Sequence, residues 1–364
     1  MYAFRLTDSA DTSIAELYSN FIPLKKLFPL HSLGILTKRD KLSVGMSSSE
    51  LTQKLTAFLS DKKSTIEACA EFNLKIKDKD KWDAENVRAK YTIDELTPDF
   101  QTVHYRPFDQ RIVVYNSDLI ARTNSRVLAP LKHNNLALIV GRQGQAVKDM
   151  EWNLSFIAKT MTDQNIFGRG GGTVFPLYAI SDESQQLPNI DTASREKLLT
   201  KLSHEVSPID IFHYVYGVLS LPEYRRTFSG FLKDDFPRIP IPQNDAEFEV
   251  LRTLGKELTE LHTEEKHPQI TTSFPITGSN TVDKYKFDAG RIYINKDQYI
   301  DNVPESAWNY YIGRYSVIQK WLKERKGRAL NYEDVLHLQN VIAILSQSRQ
   351  LMESTDTSAI SWLK

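Results

Sequence analysis

Short apolar runs between residues 111 and 180 are the strongest constraint on how this chain folds. The runs occur at 111–115, 136–140, 155–159 and 173–180, and turn-forming Asn, Asp and Gly residues separate them. Runs of β-branched and aromatic residues with this spacing are typical of β-strands. The run at 136–140 is apolar on both faces, which predicts a strand inside a sheet.

Helical patterns precede and follow this region. Leu51, Leu55 and Leu59 recur every four residues and predict a helix over 48–59. A second helix is predicted from Asn244 to His262, with an apolar stripe of Phe248, Leu251, Leu254, Leu258 and Leu261. A third is predicted to begin at Asn331, with Val335, Leu338, Val341, Ile342 and Leu345 facing inward. The segments 284–287 and 291–294 are typical of a β-hairpin.

These patterns predict an α+β protein in which a β-rich lobe packs beside a helical C-terminal lobe. Residues 1–100 are expected to be a mixed segment of helices and loops. Residues 101–182 are expected to form the β-rich lobe. Residues 190–364 are expected to form the helical lobe, with the small hairpin near 284–294.

The composition is that of a globular protein, with 41% hydrophobic and 25% charged residues among 364. No apolar run reaches the roughly 18 residues that a membrane span requires, and the N-terminus lacks the pattern of a secretory signal. The single cysteine, Cys69, excludes an internal disulfide and a cysteine-based zinc site. We therefore expect a cytoplasmic protein with no membrane partner and no metal site.

The formal net charge is zero, yet the charges are distributed unevenly. Residues 104–172 contain nine basic and five acidic residues. A second basic cluster consists of Arg314, Lys320, Lys323, Arg325, Lys326 and Arg328, opposed only by Glu324. Basic patches attract nucleic acid, although each cluster is also compatible with an ordinary solvated face.

Motifs of several enzyme classes are absent from the sequence. There is no Pro-Pro pair for an adenine-N6 methyltransferase motif, no G-x-x-x-x-G-K-[ST] phosphate loop and no G-x-S-x-G elbow. The histidines do not show metal-ligand spacing. We predict that the chain is not an enzyme on its own and has no catalytic residues.

Seven short motifs occur in a particular order along the chain. They are Gly34-Ile35-Leu36-Thr37-Lys38-Arg39-Asp40, His104-Tyr105-Arg106-Pro107-Phe108-Asp109-Gln110-Arg111, Arg142-Gln143-Gly144-Gln145-Ala146, Thr162-Asp163-Gln164-Asn165-Ile166-Phe167, Val174-Phe175-Pro176-Leu177-Tyr178, Phe236-Pro237-Arg238-Ile239-Pro240 and Trp321-Leu322-Lys323-Glu324-Arg325-Lys326-Gly327-Arg328. Their order and spacing resemble the C-terminal target recognition domain of type ISP restriction-modification enzymes.

That resemblance implies a module that recognises a site in double-stranded DNA and positions an adenine for an adjoining N6-adenine methyltransferase. In such enzymes, nuclease and helicase-like domains precede the methyltransferase in one long chain. The resemblance implies that S-adenosylmethionine, ATP and Mg²⁺ serve those other domains, and that this chain holds no cofactor. Recognition would also license translocation and cleavage by the other domains.

Side chains that can contact DNA are concentrated in the β-rich lobe. Arginine reads guanine and asparagine or glutamine reads adenine, while basic groups also hold phosphates. The candidate DNA-binding residues are Arg106, Arg111, Arg122, Asn124, Arg126, Arg142, Gln143, Gln145 and Arg169. The resemblance favours Arg142 and Gln143 in particular, because the type ISP pattern has Arg-Gln at this place.

Structural alternatives remain open for several of these candidates. The 122–126 segment is also compatible with a helix N-cap that leads into Val127 and Leu128. In the 105–109 motif, Asp109 is also able to pair with Arg106 or Arg111 and so stabilise a turn. At the level of function, the alternatives are a protein-docking module of a defence system without base readout, and a diverged stand-alone nuclease.

Overall fold

The computed structural model describes residues 9–141, 151–168, 171–181 and 185–364, with side chains from residue 13 onward. The α-helices in these ranges are α1 (Ser9–Asn20), α2 (Leu24–Leu27), α3 (Asp40–Ser43), α4 (Ser48–Leu59), α5 (Thr65–Glu71), α6 (Ala84–Lys90), α7 (Ile93–Leu96), α8 (Ser125–Leu128), α9 (Thr192–Leu199), α10 (Pro208–Ser220), α11 (Pro222–Thr227), α12 (Ser229–Asp234), α13 (Asp245–His262), α14 (Glu305–Trp308), α15 (Val317–Glu324) and α16 (Tyr332–Ser354). Short 3-10 helices lie at Thr97–Asp99, Ala129–Lys132 and Ser361–Leu363.

The strands are short and are grouped mainly in the middle of the chain. They are β1 (Ile22–Pro23), β2 (Ser32–Leu33), β3 (Val44–Gly45), β4 (Phe100–Arg106), β5 (Asp109–Val114), β6 (Ala137–Gly141), β7 (Ser155–Ala158), β8 (Met161–Thr162), β9 (Gly172–Pro176), β10 (Tyr178–Ile180), β11 (Gln186–Pro188), β12 (Arg238–Ile239), β13 (Lys286–Asp288), β14 (Arg291–Tyr293), β15 (Tyr299–Ile300), β16 (Tyr311–Ile312) and β17 (Tyr315–Ser316). This mixture of helices and small sheets confirms the predicted α+β class.

Two four-stranded sheets form the β-rich lobe. The first has the order β2-β9-β6-β7 and is antiparallel throughout. All residues of β6 are buried between β9 and β7, as its apolar sequence predicts. The second sheet has the order β3-β5-β4-β8, in which β4 and β8 are parallel. Strands β2 and β3 precede residue 100, so the N-terminal segment contributes an edge strand to each sheet.

The predicted helices begin at the capping residues that the sequence indicates. Helix α13 begins after Asn244, whose side chain accepts a hydrogen bond from the Glu247 backbone N–H. Helix α16 begins after Asn331, which forms a reciprocal capping box with Asp334. The predicted hairpin is formed by β13 and β14, and Ala289 and Gly290 both have positive φ in the turn between them. Domain boundaries at 100 and 182–190 remain predictions.

The helical lobe is held together by close contact between the backbones of α10 and α13. A Cβ on Gly217 would lie 1.9 Å from the carbonyl oxygen of Leu251, and one on Gly255 would lie 1.8 Å from that of His213. No side chain fits in this space, so the two helices cross with glycine facing backbone. Apolar side chains of both helices then join the main hydrophobic core, which also includes β6, β7 and β9.

A smaller core lies between the N-terminal helices and β5. Leu51, Leu55 and Phe58 of α4 pack there with Trp82 and Val114. Leu51 and Leu55 belong to the four-residue repeat that predicted the helix, and α4 spans the predicted range, Ser48–Leu59. This core therefore attaches the N-terminal segment to the second sheet.

Buried ion pairs join the second sheet to the helical lobe. Asp109, at the start of β5, is 1% exposed and accepts hydrogen bonds from Arg111 at 2.8 Å and from Arg325 at 3.1 Å. Arg325 directly follows α15, and Arg111 also pairs with Glu324 at the end of that helix, at 3.0 Å. The same carboxylate thus fixes the guanidinium groups of a strand and of a helix terminus.

A second buried pair joins β4 to the segment after β8. Arg106 is 8% exposed and its Nη1 donates to Asp163 at 2.9 Å. Burial raises the pKa of Asp163 to about 6, and Arg106 opposes this shift. Burial alone would lower the pKa of Arg106, but Asp163 and Tyr105 raise it instead. Both groups are therefore charged at pH 7, and the pair is intact there.

Replacement of Asp109 by Asn tests the importance of the first ion-pair cluster. Asp109→Asn keeps the shape of the side chain but leaves Arg325 buried without its nearest carboxylate. Loss of one partner from a buried ion pair costs about 3–5 kcal/mol. We expect a clear loss in the free energy of unfolding, measured by denaturant titration of the 364-residue chain.

Asp297→Asn is the matched control, because the Asp297 side chain is 69% exposed and, among the described residues, pairs only with the exposed Lys296. Exposed pairs of this kind contribute about 0–1 kcal/mol. Equal unfolding free energies for the two variants would contradict a stabilising role of Asp109.

Candidate nucleic-acid interface

The segment 33–36 lies between the two parts of the β-rich lobe that carry candidate DNA-binding residues. On one side, Gly34 N–H donates to the Gly172 carbonyl at 3.0 Å, and Ile35 N–H donates to the Thr162 carbonyl at 2.8 Å. Gln164 N–H donates back to the Ile35 carbonyl at 2.8 Å. These bonds fix the segment 162–172 along one side of 33–36.

Gly34 is required by this close approach. A Cβ at position 34 would lie 2.3 Å from the Thr162 carbonyl oxygen and 2.9 Å from the backbone of Gln164. The first residue of the Gly34–Asp40 motif is therefore a packing requirement. It lets two peptide segments run in contact, and no side-chain chemistry is involved.

The turn 122–126 is fixed along the other side of 33–36. Leu36 and Arg122 exchange two backbone hydrogen bonds, at 3.1 and 3.0 Å. Asn124 has a left-handed backbone, with φ of 48°, and its side-chain amide donates to the carbonyls of Leu33 at 2.7 Å and Gly34 at 3.1 Å. Asn124 was a candidate for contact with DNA. Its amide hydrogens have internal acceptors, so the structure supports a role in anchoring the turn, and a DNA contact by this residue stays a prediction.

Arg122 and Arg126 are exposed on this anchored turn. Within the described part of the chain, no carboxylate pairs with either guanidinium. Arg126 lines an open groove of about 620 Å³, together with His31, Ser32 and Ser125. Val127 and Leu128 are buried beneath it at the start of α8. The segment therefore begins a helix and also exposes two arginines that make no ion pair with the described residues.

Two further groups belong to the same neighbourhood. A Cβ on Gly171 would lie 2.9 Å from the Leu33 side chain, so Gly171 lies close to the segment 33–36. Arg169 lies outside the described residues. Arg314 is exposed, and its backbone N–H donates to the Phe167 carbonyl at 3.2 Å, so it lies beside Gly168. The sequence placed Arg314 only in the C-terminal basic cluster. Nothing in the sequence indicates that the turn before β17 packs against Phe167 and Gly168.

The Arg142–Ala146 motif follows β6 directly. Strand β6 ends at Gly141, whose N–H donates to the Leu154 carbonyl at 2.8 Å. Arg142, Gln143 and Gln145 lie outside the described residues, so their proposed DNA contacts remain predictions.

Arg106 and Arg111 do not lie at this surface. Both guanidinium groups stack on the Tyr105 ring, at 4.0 and 3.9 Å from its centre, and both are held in the ion pairs described above. The structure thus argues against DNA contacts by either residue. Arg111 pairs with Asp109, as the alternative proposed, whereas Arg106 pairs with Asp163 after β8. Phe108 is fully buried and has a φ of 57°, which explains the sharp reversal at this motif.

The C-terminal basic cluster is neutralised in part. Lys320 pairs with Glu324, Arg325 with Asp109, and Arg328 with Glu50. Arg314, Lys323 and Lys326 are exposed and make no ion pair with the described residues. Half of the cluster is therefore held in internal or surface ion pairs.

The described residues contain no group of three or more His, Cys, Asp or Glu side chains arranged to hold a metal ion. Over the same residues, no helix combines the length and the apolar character that a bilayer span needs.

Three solved structures with a similar fold are of larger proteins. The chain matches a nuclease-deletion mutant of the type ISP restriction-modification enzyme LlaGI, in complex with a DNA substrate mimic, with a TM-score of 0.68 and 19% identity over 93% of this chain and 34% of that one. It matches the ATP-dependent type ISP enzyme LlaBIII bound to DNA with a TM-score of 0.73 and 21% identity, over 93% of this chain and 24% of that one. It matches DrdV in a DNA complex with a TM-score of 0.71 and 20% identity, over 91% of this chain and 36% of that one.

The chain thus spans about a third or less of the length of these structures. No curated protein matches it. The model of the type ISP C-terminal specificity domain matches residues 26–354, which is almost the whole chain, and the chain therefore belongs to this family.

Proposed function

We propose that this specificity domain recognises a site in double-stranded DNA and orients it for the other domains of a type ISP enzyme. The observation that carries the proposal is the anchored turn with two exposed arginines, Arg122 and Arg126, that have no carboxylate partner among the described residues. Family membership and the DNA complexes of three proteins with the same fold support it.

The anchored turn suits DNA binding for a physical reason. Its backbone is fixed by hydrogen bonds to 33–36, so binding would order only the two side chains and not the loop. A contact made from a preorganised backbone loses less conformational entropy on binding. Phosphate contacts from such a turn would set the register of the duplex, and base contacts from the segment after β6 would then supply discrimination.

The enzyme's chemistry belongs to other domains in this proposal. We expect an adjoining N6-adenine methyltransferase to use S-adenosylmethionine, and helicase-like and nuclease domains to use ATP and Mg²⁺. Their translocation and cleavage would depend on recognition by this chain. A role in protein docking without base readout has no comparable support, because its argument rests only on amphipathic helices, and these helices bury their apolar faces in the main core.

Arg122→Ala and Arg126→Ala test the phosphate contacts. Each contact with a phosphate releases counterions, which makes the logarithm of affinity fall by about 0.9 per logarithm of salt concentration. We expect each variant to bind random-sequence duplex more weakly at low salt and to show a slope that is shallower by about that amount. Fluorescence anisotropy of the 364-residue chain over a salt series measures both. Lys296→Ala, at a side chain that is 89% exposed in another part of the chain, is the control and should change neither. Unchanged slopes in both arginine variants would remove the turn from the interface.

Arg142→Ala and Gln143→Ala test the base contacts. A bidentate contact to a base contributes about 1–3 kcal/mol of discrimination, so its loss should relax the preferred sequence at one position. Selection from a randomised duplex library, followed by sequencing, measures the preference for each base. Arg126→Ala serves as the comparison, because a phosphate contact should weaken all sequences alike. An unaltered sequence preference in both the Arg142 and the Gln143 variants would contradict this assignment.

A further inference from the structure

A cavity of about 450 Å³ lies away from the 122–126 turn, in the helical lobe. Its walls come from the segment before β7, from α11, from the residues around β16 and from the end of α16. Three arginines line it: Arg225, Arg226 and Arg349. Three glutamates also line it: Glu151, Glu223 and Glu353.

Two of the arginines are matched by their own neighbours. Arg226 pairs with Glu223 at 2.7 Å, and both lie on α11. Arg349 lies 3.8 Å from Glu353, one turn later on α16. Glu151 is exposed and makes no ion pair with the described residues. Arg225 is therefore the cation of this cavity that lacks a carboxylate within ion-pair distance.

Arg225 is held in place by neutral groups only. Its Nε donates to the Leu219 carbonyl at 2.6 Å, and its Nη2 donates to the Ser155 hydroxyl at 3.3 Å. Its Nη1 donates no hydrogen bond to any of the described residues. Burial lowers the pKa of Arg225, in opposition to Tyr310, Glu151 and Tyr216. Burial of a charge without an opposite charge is costly, so an anion in the cavity would offset part of this cost.

Tyr310 adds a neutral donor beside the two cations. The residue is 8% exposed, and its hydroxyl has no hydrogen-bond partner in the described part of the chain. The Arg349 guanidinium lies 5.7 Å from the centre of its ring. Burial raises the pKa of Tyr310, and Arg225 and Arg349 oppose the shift. The hydroxyl therefore keeps its proton at neutral pH and is available to donate.

We propose that this cavity binds a phosphate group. Arg225 would supply the central charge, and Arg349 and the Tyr310 hydroxyl would donate from the side. A tetrahedral dianion or a backbone phosphodiester presents oxygens that accept such charge-assisted hydrogen bonds. This goes beyond the proposed function, because none of the residues of the 122–126 turn lines the cavity. The phosphate comes either from a small molecule or from the backbone of a bound duplex.

Tyr310→Phe and Arg349→Gln are the informative variants. Neither side chain makes a hydrogen bond within the described residues. Arg349 makes only a long ion pair with Glu353, at 3.8 Å, so both variants should fold. Tyr332→Phe is the matched control, since Tyr332 is 79% exposed at the start of α16. Arg225→Lys is a fourth variant, and it keeps the charge but loses the planar fork.

Thermal unfolding of the 364-residue chain in inorganic phosphate measures binding, with sodium chloride at matched ionic strength as the reference. A ligand that binds only the folded state raises the unfolding temperature as its concentration exceeds Kd. We expect phosphate to stabilise the native chain and the Tyr332→Phe control equally. We expect an apparent Kd that is about tenfold weaker in Tyr310→Phe and in Arg349→Gln, as for the loss of one charge-assisted hydrogen bond. No stabilisation beyond chloride, or equal stabilisation of all variants, would overturn the proposal.

Competition with a short duplex identifies the source of the phosphate. If the cavity takes a backbone phosphate, inorganic phosphate will displace the duplex, and Tyr310→Phe will weaken duplex binding. If it takes a small molecule, phosphate will stabilise the chain and duplex binding will be the same in all variants. Both results support the site. If Arg122→Ala and Arg126→Ala do not change DNA binding, the proposed function is contradicted. The result of the phosphate titration does not depend on that outcome.

Discussion

Asp109 is the carboxylate on which the relation between the strands and the helical lobe depends. It is almost fully buried, and it binds one guanidinium from its own strand and another from the residue after α15. Removal of two cations and one anion from water is costly, and only close pairing recovers that cost. The arrangement therefore favours this packing of α15 against β5, in which all three groups are paired. Arg111 extends it to Glu324, so the same strand holds the helix at two points.

These contacts explain why motifs far apart in the sequence identify the fold. The 104–111 motif meets the 162–167 motif through Arg106 and Asp163, and it meets the 321–328 motif through Asp109 and Arg325. The 34–40 motif joins them because Tyr105 donates to Asp40 at 2.7 Å. The polar residues in these motifs hold the lobes in their relative orientation. Gly34 lets two backbone segments approach closely.

Secondary structure was accessible from sequence where one rule dominates. The run 136–140 is apolar on both faces because β6 is buried on both faces of its sheet, and Asn331 with Asp334 marks a helix start through local bonds alone. The pair of Arg111 with Asp109 was one of the alternatives that the sequence left open. The roles of Arg106 and Asn124 were not accessible, because each depends on a partner distant in sequence. Asn124 resembles an adenine-reading side chain until the carbonyls of Leu33 and Gly34 are seen beside it. The position of Arg314 beside Gly168 could not be predicted for the same reason.

The internal pairing also reconciles a neutral chain with DNA binding. Arg106, Arg111 and Arg325 are cancelled by Asp163, Asp109 and Glu324, so they contribute little to the field outside the protein. Arg122 and Arg126, by contrast, are exposed on one turn and make no ion pair with the described residues. A few phosphate contacts give weak, salt-sensitive affinity for any sequence. Such a surface would bind random DNA loosely and leave discrimination to base contacts, which is what a specificity domain needs when other domains of its enzyme also hold the duplex.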